Sequence, residues 1–181
     1  MSILPWKGQI IEPENHNPIN KDQPSVSYDL EYVYGYRCDT SRQNVYFNAS
    51  GNAVYMTAAL GVILDHQSNT QKFFGGGEVD STSKKVANDM KHHTMDVECI
   101  RISPDRRTAV SGQRGRKPTI FTWDAETGEK KMRIKIPSGA RAIKSVAINA
   151  DGWIVAVDES NEHKIYVYDN NGNSVLKQNG S

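Results

Sequence analysis

Three segments of this chain share one layout, and this repeat is the feature that most constrains the fold. Each segment has a short apolar strand, a tight polar turn, a strand rich in small residues, and an aliphatic or aromatic strand closed by aspartate. The closing residues are Asp65, Asp124 and Asp169, so the last two repeats lie 45 residues apart. The first interval is 59 residues, and its surplus fits an insertion that contains Gly75–Gly77. Such self-similarity indicates a chain built from repeated supersecondary units.

β-Branched and aromatic residues dominate the apolar runs, and glycine, asparagine and aspartate separate them, a pattern typical of strands joined by turns. Few windows show a period of about 3.6 residues. The stretch 84–91 is long enough for one or two helical turns, but we interpret it as part of a loop insertion. The predicted strands of the second and third repeats are 97–102, 108–112, 120–124 and 130–136, then 142–148, 153–157, 165–169 and 174–176.

The second repeat ends in Trp123-Asp124. A repeat of about 40–45 residues with a terminal Trp-Asp is the sequence signature of a β-propeller blade. One blade is a four-stranded antiparallel sheet that cannot bury both faces alone, so it stacks on its neighbours. We therefore predict an all-β fold of about three WD-repeat blades over residues 44–181. Because propellers have about four to eight blades, we expect remaining blades of a longer protein, or another chain, to cover the open edges.

The first 29 residues differ from the rest of the chain, because they contain four of its seven prolines among asparagine, lysine and aspartate. Proline fixes the backbone and removes a hydrogen-bond donor from a sheet. We predict an extended arm over residues 1–29, which Trp6, Ile10 and Ile11 attach to a surface.

Composition excludes several classes of protein. No run approaches about 18 apolar residues, so we predict no membrane-spanning helix. The N-terminus has neither a basic region nor a long apolar core, so we expect no signal peptide. Cys38 and Cys99 are the only cysteines, which is too few for a disulfide scaffold. We interpret both as small core residues, and a cytosolic protein as the default.

The formal net charge of +1 hides an uneven distribution. Residues 101–144 contain 12 basic and 4 acidic residues, whereas residues 1–100 carry a net −4 and residues 145–181 a net −3. A basic stretch between acidic flanks favours a surface that faces a polyanion. The alternative is a set of outward-facing lysines and arginines that only keep the sheets soluble. The candidate partner-binding residues are Arg106, Arg107, Arg114, Arg116 and Lys117.

No set of residues indicates catalysis. The sequence has no Gly-x-Ser-x-Gly element, and the glycine run lacks the Gly-Lys-Ser/Thr ending of a phosphate loop. His92 and His93 suggest a metal pair, but adjacent residues seldom converge on one ion. For His163, at a turn, we favour a structural role. We therefore predict a protein that is not an enzyme and has no cofactor and no metal site.

Leu30 to Arg37 resemble the HELP motif, the hydrophobic segment that opens echinoderm microtubule-associated protein-like (EMAP-like) proteins. The similarity continues in order through Asn44–Tyr46, Thr70–Phe74 and Ser103–Asp105. We therefore delimit a HELP-like segment at 30–43. The residues that carry the family signature are Tyr32, Val33, Tyr34, Gly35, Tyr36, Arg37, Trp123 and Asp124.

The chain departs from the family pattern at three places. Cys38 stands where the family usually has glycine, and the third repeat ends in Tyr168-Asp169 rather than Trp-Asp. The Gly-His pair of the family has no direct counterpart after the 70–74 strand, because an insertion follows and the two adjacent histidines come later.

Tyr32, Tyr34 and Tyr36 alternate with smaller residues at a period of two, which predicts a strand. Such a row fits either the stacking of single-stranded nucleic-acid bases or packing under a blade. The family resemblance favours packing, so we expect neither nucleic acid nor membrane as a partner.

The resemblance implies a non-catalytic module that binds tubulin or microtubules and other cytoskeletal or axonemal proteins. It implies a location on the cytoplasmic cytoskeleton or in the ciliary axoneme. The alternative is a general protein-interaction scaffold without affinity for tubulin.

Overall fold

The structure is a computed structural model that describes residues 29–76, 91–115, 117–137 and 139–180, with positions 11, 14–18, 22, 25 and 26. Most of the predicted arm, including Trp6 and Ile10, lies outside the described residues, as does the stretch 84–90. The described part contains twelve strands in three four-stranded antiparallel sheets. Within it, no helix of the length and hydrophobicity needed to cross a membrane occurs.

Each sheet is a simple meander in which consecutive strands pair. The first sheet consists of β1 (Val45–Phe47), β2 (Ala53–Thr57), β3 (Leu60–Asp65) and β4 (Thr70–Phe74). The second consists of β5 (Val97–Ile102), β6 (Thr108–Gln113), β7 (Thr119–Asp124) and β8 (Lys130–Lys135). The third consists of β9 (Ile143–Ile148), β10 (Ile154–Asp158), β11 (Ile165–Tyr168) and β12 (Ser174–Gln178). The predicted all-β fold of three blade-like sheets is confirmed.

The aspartate that closes each repeat caps the turn after the third strand of its sheet. The Asp124 carboxylate accepts the backbone N–H groups of Glu126 and Thr127, at 2.9 and 3.1 Å. Asp65 and Asp169 accept backbone N–H groups in the equivalent turns. Aspartate is favoured in such turns because its side chain bonds the backbone two residues on. This capping explains why the same residue type recurs at the same place in all three repeats.

The second sheet packs between the other two. Along β7, Phe121 and Trp123 point towards the first sheet and Ile120 towards the third, as the period of two requires. All three side chains are fully buried. The Phe74 ring of the first sheet stacks on Trp123, with centroids 5.3 Å apart and planes 8° apart. The second sheet therefore carries both hydrophobic interfaces of the described part.

Two glycines permit the close approach of the sheets. A Cβ atom on Gly61 would lie 2.5 Å from Cζ2 of Trp123, and a Cβ on Gly112 would lie 2.6 Å from Cβ of Ile143. Real Cβ atoms do not approach other heavy atoms so closely. Each glycine thus marks a place where one sheet lies directly on the next.

The end sheets leave apolar side chains exposed. On the first sheet these are Val45 and Phe47 of β1, and on the third they include Val155, Ile165 and Leu176. The second sheet has no such exposed residues, because neighbours cover both of its faces.

The structure contradicts the strand predicted from the alternating tyrosines. Residues 29–44 form no strand, and the backbone bends at 39–40 and 42–43. Gly35 has φ of 82°, a left-handed conformation that interrupts the pleat and so ends the simple alternation of faces.

We expect Gly61→Ala to destabilise the protein by about 1–3 kcal/mol, since the added methyl overlaps the Trp123 ring, which is fully buried and stacked on Phe74. Urea unfolding measures the change in the free energy of unfolding. Ser145→Ala, at an exposed strand position, is the matched control and should change it by less than about 0.5 kcal/mol. A Gly61→Ala variant as stable as the parent would contradict this packing.

Candidate functional site

The HELP-like segment lies across the outer face of the first sheet and is held there by Gln71. The Val33 N–H donates to Oε1 of Gln71 at 2.7 Å, and Nε2 of Gln71 donates to the Val33 carbonyl at 3.0 Å. The same Nε2 donates to the Tyr55 hydroxyl at 3.0 Å. One amide side chain of β4 thus satisfies both backbone groups of Val33 and substitutes for a strand partner.

The signature tyrosines differ in their surroundings. The Tyr32 hydroxyl donates to Oδ1 of Asn69 at 3.0 Å, and Tyr36 meets Tyr55 edge to face at 6.4 Å between centroids. Tyr34 is 87% exposed. The expected packing under a blade is therefore partial for Tyr32, which is half-buried, and for Tyr36, and it is wrong for Tyr34.

Arg37 joins the HELP-like segment to both the first and the second sheets. Its backbone N–H donates to the Met56 carbonyl at 3.1 Å. Its Nη2 donates to Oε1 of Glu98 at 3.1 Å and to the Thr40 hydroxyl at 2.7 Å. The segment is therefore fixed by a charged contact to β5 as well as by neutral contacts to β4.

Glu98 is a buried carboxylate shared by three cations. Its side chain is 4% exposed, and Arg37, Arg114 and Lys144 approach it at 3.1, 3.5 and 3.6 Å. Lys144 also lies 3.4 Å from the Glu159 carboxylate. A buried charge is costly unless it is paired, so these cations permit the burial of Glu98.

The structure places the described basic candidates at opposite ends of β6. Arg106 and Arg107 precede the strand, and Arg114 and Lys117 follow it. A strand of 6 residues separates the two pairs by on the order of 20 Å. The four residues therefore do not form one patch. Arg116 lies outside the described residues.

We call the surface formed by Arg114, Lys117, Arg141 and Lys144 the Arg114 rim. The Gly115 N–H donates to the Arg141 carbonyl at 2.7 Å, and Arg114 forms an isolated bridge with Ala142. These contacts bring cations from the second and third sheets together. Arg141 and Lys144 were not among the candidates predicted from the sequence, although both belong to the basic stretch 101–144.

The opposite edge, which we call the Arg106 rim, has a different charge environment. Arg106 has φ of 60°, and its carbonyl accepts the Ala49 N–H at 3.1 Å. The Arg107 carbonyl accepts the Ala125 N–H at 2.9 Å. The neighbouring turns carry Asp65, Asp105, Asp124, Glu126, Glu129, Asp151 and Asp169. Backbone contacts between sheets therefore position both arginines, and the carboxylates of this edge lie beside Lys131, which pairs with Asp124 at 3.1 Å.

His93 belongs to a buried chain of hydrogen bonds. The Trp123 indole N–H donates to Oγ of Ser111 at 3.0 Å, and the same Oγ lies 2.8 Å from Nε2 of His93. Nδ1 of His93 lies 2.9 Å from Oε1 of Gln113. Because the indole only donates, the serine hydroxyl is free to donate to Nε2, and the Nδ1–H then donates to Gln113. A neutral His93 satisfies every member of this chain.

Burial lowers the pKa of His93 to about 4, against the hydrogen bond to Gln113, which raises it. The rings of Phe74 and Phe121 meet the imidazole edge to face at 5.6 and 4.8 Å. This apolar environment disfavours the imidazolium form. The sequence signal for this role was the Gly-His pair of the family, displaced here by the insertion.

The structural role expected for His163 is limited to its backbone, whose N–H donates to the Ser160 carbonyl at 3.2 Å. His163 is exposed, and the described residues give its ring no hydrogen-bond partner. Among those same residues, no group of three or more histidine, cysteine, aspartate or glutamate side chains is arranged to hold a metal ion.

The two cysteines differ. Cys99 is buried, and burial raises the pKa of its thiol to about 12. Cys38 is exposed, so its assignment to the core is wrong. A run of polar neighbours, Asp39-Thr40-Ser41, gave the signal that was overlooked.

The stacked meander sheets define a WD-repeat protein of the β-propeller class. A chain in the crystal structure of the mitotic checkpoint complex has the same fold, with a TM-score of 0.56 and 13% sequence identity. The match covers 100% of this chain and 49% of that chain.

Residues 23–62 match the HELP motif. The chain is 46% identical over 182 residues to the ciliary WD repeat-containing protein ctxp80 of Euplotoides octocarinatus, covering all of this chain and 25% of the relative. It is 30% identical over 157 residues to echinoderm microtubule-associated protein-like 1 of Mus musculus, covering 81% of this chain and 17% of the relative. The chain spans a quarter or less of the length of these relatives. The resemblance to the EMAP-like family is confirmed.

We expect acid to destabilise the protein through His93. Its folded pKa of about 4 is below the unfolded value of about 6.5, so its contribution is complete above pH 6.5 and is lost as the pH falls towards 4. The loss reaches up to about 3 kcal/mol in the free energy of unfolding. Denaturant unfolding at several pH values measures this loss.

The control for this prediction compares how steeply the free energy of unfolding changes with pH in each variant, rather than its absolute value. His93→Gln should flatten the pH dependence between 6.5 and 4, whereas His92→Gln should retain most of it, because His92 is only partly buried. An unchanged slope in His93→Gln would assign the acid sensitivity to other groups.

Proposed function

We propose that this chain is part of a microtubule-associated WD-repeat protein and acts as a non-catalytic binding or scaffolding module of the cytoskeleton, on cytoplasmic microtubules or in the ciliary axoneme. The observation that carries this proposal is the HELP motif, with its segment held by Gln71 across a blade-like sheet. Relatives whose sequences align with most of this chain are named as microtubule-associated and ciliary proteins.

The proposed contact with tubulin is electrostatic. The outer surface of tubulin is acidic, and Arg106, Arg107, Arg114 and Lys117 are exposed cations at the rims. One exposed ion pair contributes only about 0.2–1 kcal/mol, so several must act together. Binding through such pairs weakens as salt shortens the range of the interaction. Arg116 remains a candidate from the sequence.

Further sheets of a longer protein, or another chain, are proposed to cover the exposed apolar faces of the first and third sheets. Phe47 and Trp153 are large exposed side chains on these faces, and continuous apolar patches on a protein surface mark sites of contact. The unpaired edges of the sheets support the same proposal, because uncovered edges promote aggregation.

A non-catalytic role is supported by how the buried polar groups are used. Nδ1 and Nε2 of His93 are both engaged within the core. Asp158 accepts the Tyr166 hydroxyl at 2.8 Å and two backbone N–H groups. The Glu98 carboxylate forms ion pairs with three cations. Each of these buried groups stabilises the fold through internal partners.

The second candidate function is a general protein-interaction scaffold without affinity for tubulin. Its support is the exposed Tyr34 on the HELP-like segment, which gives a partner protein an aromatic contact outside the basic rims. A pull-down with and without residues 1–29 tests this alternative. Partners that are retained only with the arm, together with no binding to microtubules, would favour the scaffold.

We expect the protein to co-sediment with taxol-stabilised microtubules at low salt and to be released as the salt concentration rises. The pelleted fraction at fixed tubulin concentration is the measurement. Bovine serum albumin serves as the control for trapping in the pellet. A protein that stays in the supernatant at low salt would overturn the proposed microtubule association.

Charge reversal at the two rims tests which cations make the contact. We expect Arg114→Glu with Lys117→Glu to reduce pelleting by about tenfold, because several ion pairs become repulsions. Arg106→Glu with Arg107→Glu is the matched pair on the opposite rim, with the same change in charge. Equal pelleting of all variants and the parent would remove these residues from the interface.

A further inference from the structure

The three cations around Glu98 come from three different parts of the chain. Arg37 belongs to the HELP-like segment, Arg114 follows the second strand of the second sheet, and Lys144 lies on the first strand of the third. A single carboxylate therefore connects the segment to the Arg114 rim. Neither the family signature nor the charge count indicated this connection.

The three cations are not equivalent. The Arg37 side chain is 15% exposed and has the shortest contact with Glu98, at 3.1 Å. Arg114 and Lys144 are 51% and 46% exposed, and their contacts are 3.5 and 3.6 Å. Arg37 is the inner partner of the carboxylate, and the other two cations also face solvent. These two can bind an external anion only by sharing their charge between it and Glu98.

We propose that Glu98 couples the HELP-like segment to an acidic polypeptide bound at the Arg114 rim. While Arg37 neutralises Glu98, Arg114 and Lys144 are available to carboxylates of the partner. Without Arg37, the buried carboxylate draws both cations inward, because an unpaired buried charge is costly. By reciprocity, a partner that takes Arg114 and Lys144 leaves Glu98 to Arg37 and strengthens the attachment of the segment.

An acidic polypeptide is the partner that the rim fits. Lys117 and Arg141 are exposed, and neither side chain forms an ion pair with another described residue. Together with Arg114 and Lys144 they present separate positive charges on two adjacent sheets. Asp96, which pairs with Arg37 at 3.7 Å, and Glu159, which pairs with Lys144 at 3.4 Å, add negative charge beside the rim. These carboxylates repel the continuous phosphates of a nucleic acid, whereas the discrete carboxylates of a peptide can avoid them.

This inference rests on the proposed function, because it names the chemistry of the partner at one of the proposed rims. Co-sedimentation with microtubules tests the function itself. The experiments below test the coupling with a glutamate peptide and without microtubules. The microtubule association and the coupling can therefore fail independently of each other.

A double-mutant cycle tests the coupling. The probe is a fluorescent peptide of twelve glutamates, and the measurement is its dissociation constant by anisotropy at low salt. Arg37→Met should weaken binding by about fivefold, within the usual range of coupling between sites. In the Glu98→Gln background, Arg37→Met should change binding by less than about twofold, because no carboxylate remains to draw the rim cations inward.

The control for general loss of charge is Arg101→Met. Arg101 also joins the second sheet to the segment before β1, through the Gln43 carbonyl at 2.9 Å, but it has no contact with Glu98. This variant should bind the peptide like the parent within about twofold. Equal effects of Arg37→Met in both backgrounds would overturn the coupling, as would a parent protein that does not bind the peptide. Tighter binding to a twelve-nucleotide single-stranded RNA would overturn the choice of partner.

Hydrogen exchange on the unmodified protein provides a test that does not depend on the folding of variants. Saturation with the glutamate peptide should slow exchange of the Arg37 amide, which is bonded to the Met56 carbonyl, by about fivefold. The Gly172 amide, bonded to the Asp169 carbonyl in a distant turn, is the internal control and should not change. Unchanged exchange at Arg37 in the saturated protein would contradict the reciprocal half of the proposal.

Discussion

Stacking of three small sheets through the second one is the interaction on which the remaining structure depends. A single meander of four short strands has two faces, and a lone sheet of this size cannot bury both. The second sheet has one interface at Trp123 and Phe74 and the other at Gly112 and Ile143. Because packing at both interfaces is close, a side chain larger than glycine at position 61 or 112 must displace its neighbours.

The polar core of the first interface follows from that stacking. Trp123 reaches the interface with its indole N–H buried, and this donor requires a partner. Ser111, His93 and Gln113 supply it as one continuous chain. Neutral His93 completes every hydrogen bond in this series. Its imidazole therefore stabilises the interface in the protonation state that dominates at neutral pH.

The HELP-like segment adds a second kind of contact to the stacked sheets. Gln71 holds it by neutral hydrogen bonds to Val33 and Tyr55 by an edge-to-face contact with Tyr36, whereas Arg37 holds it through the buried Glu98 carboxylate. The charged contact extends to cations on the Arg114 rim, which face solvent. Thus the residue pattern that identifies the segment also connects it to the surface proposed to bind a partner.

The fold could be predicted because its determinants are local and repeat along the chain. The closing aspartates cap equivalent turns, and the Trp-Asp pair lies where a blade buries an aromatic ring. The strand predicted from the alternating tyrosines was wrong, because Gly35 in a left-handed conformation interrupts the period of two. Exposure of Cys38 and burial of His93 depend on which loop crosses which sheet, and a single sequence does not encode that directly.

The candidate surface was predicted less well for a related reason. Arg106 and Arg114 are close in sequence, but a strand runs between them and places them at opposite rims. Arg141 and Lys144 are distant in sequence from Arg114 and lie beside it, because the third sheet returns to the second at Ala142. The sequence shows that residues 101–144 are rich in basic side chains. Only the structure shows that these side chains are divided between two rims.

A reconstruction by electron cryo-microscopy of microtubules decorated with the protein tests the central claim most directly. We predict density in which the Arg114 rim faces tubulin, with the HELP-like segment ordered over the first sheet and other sheets covering the exposed apolar faces. Decoration through the Arg106 rim, or density in which the three sheets are not stacked in this order, would contradict the account.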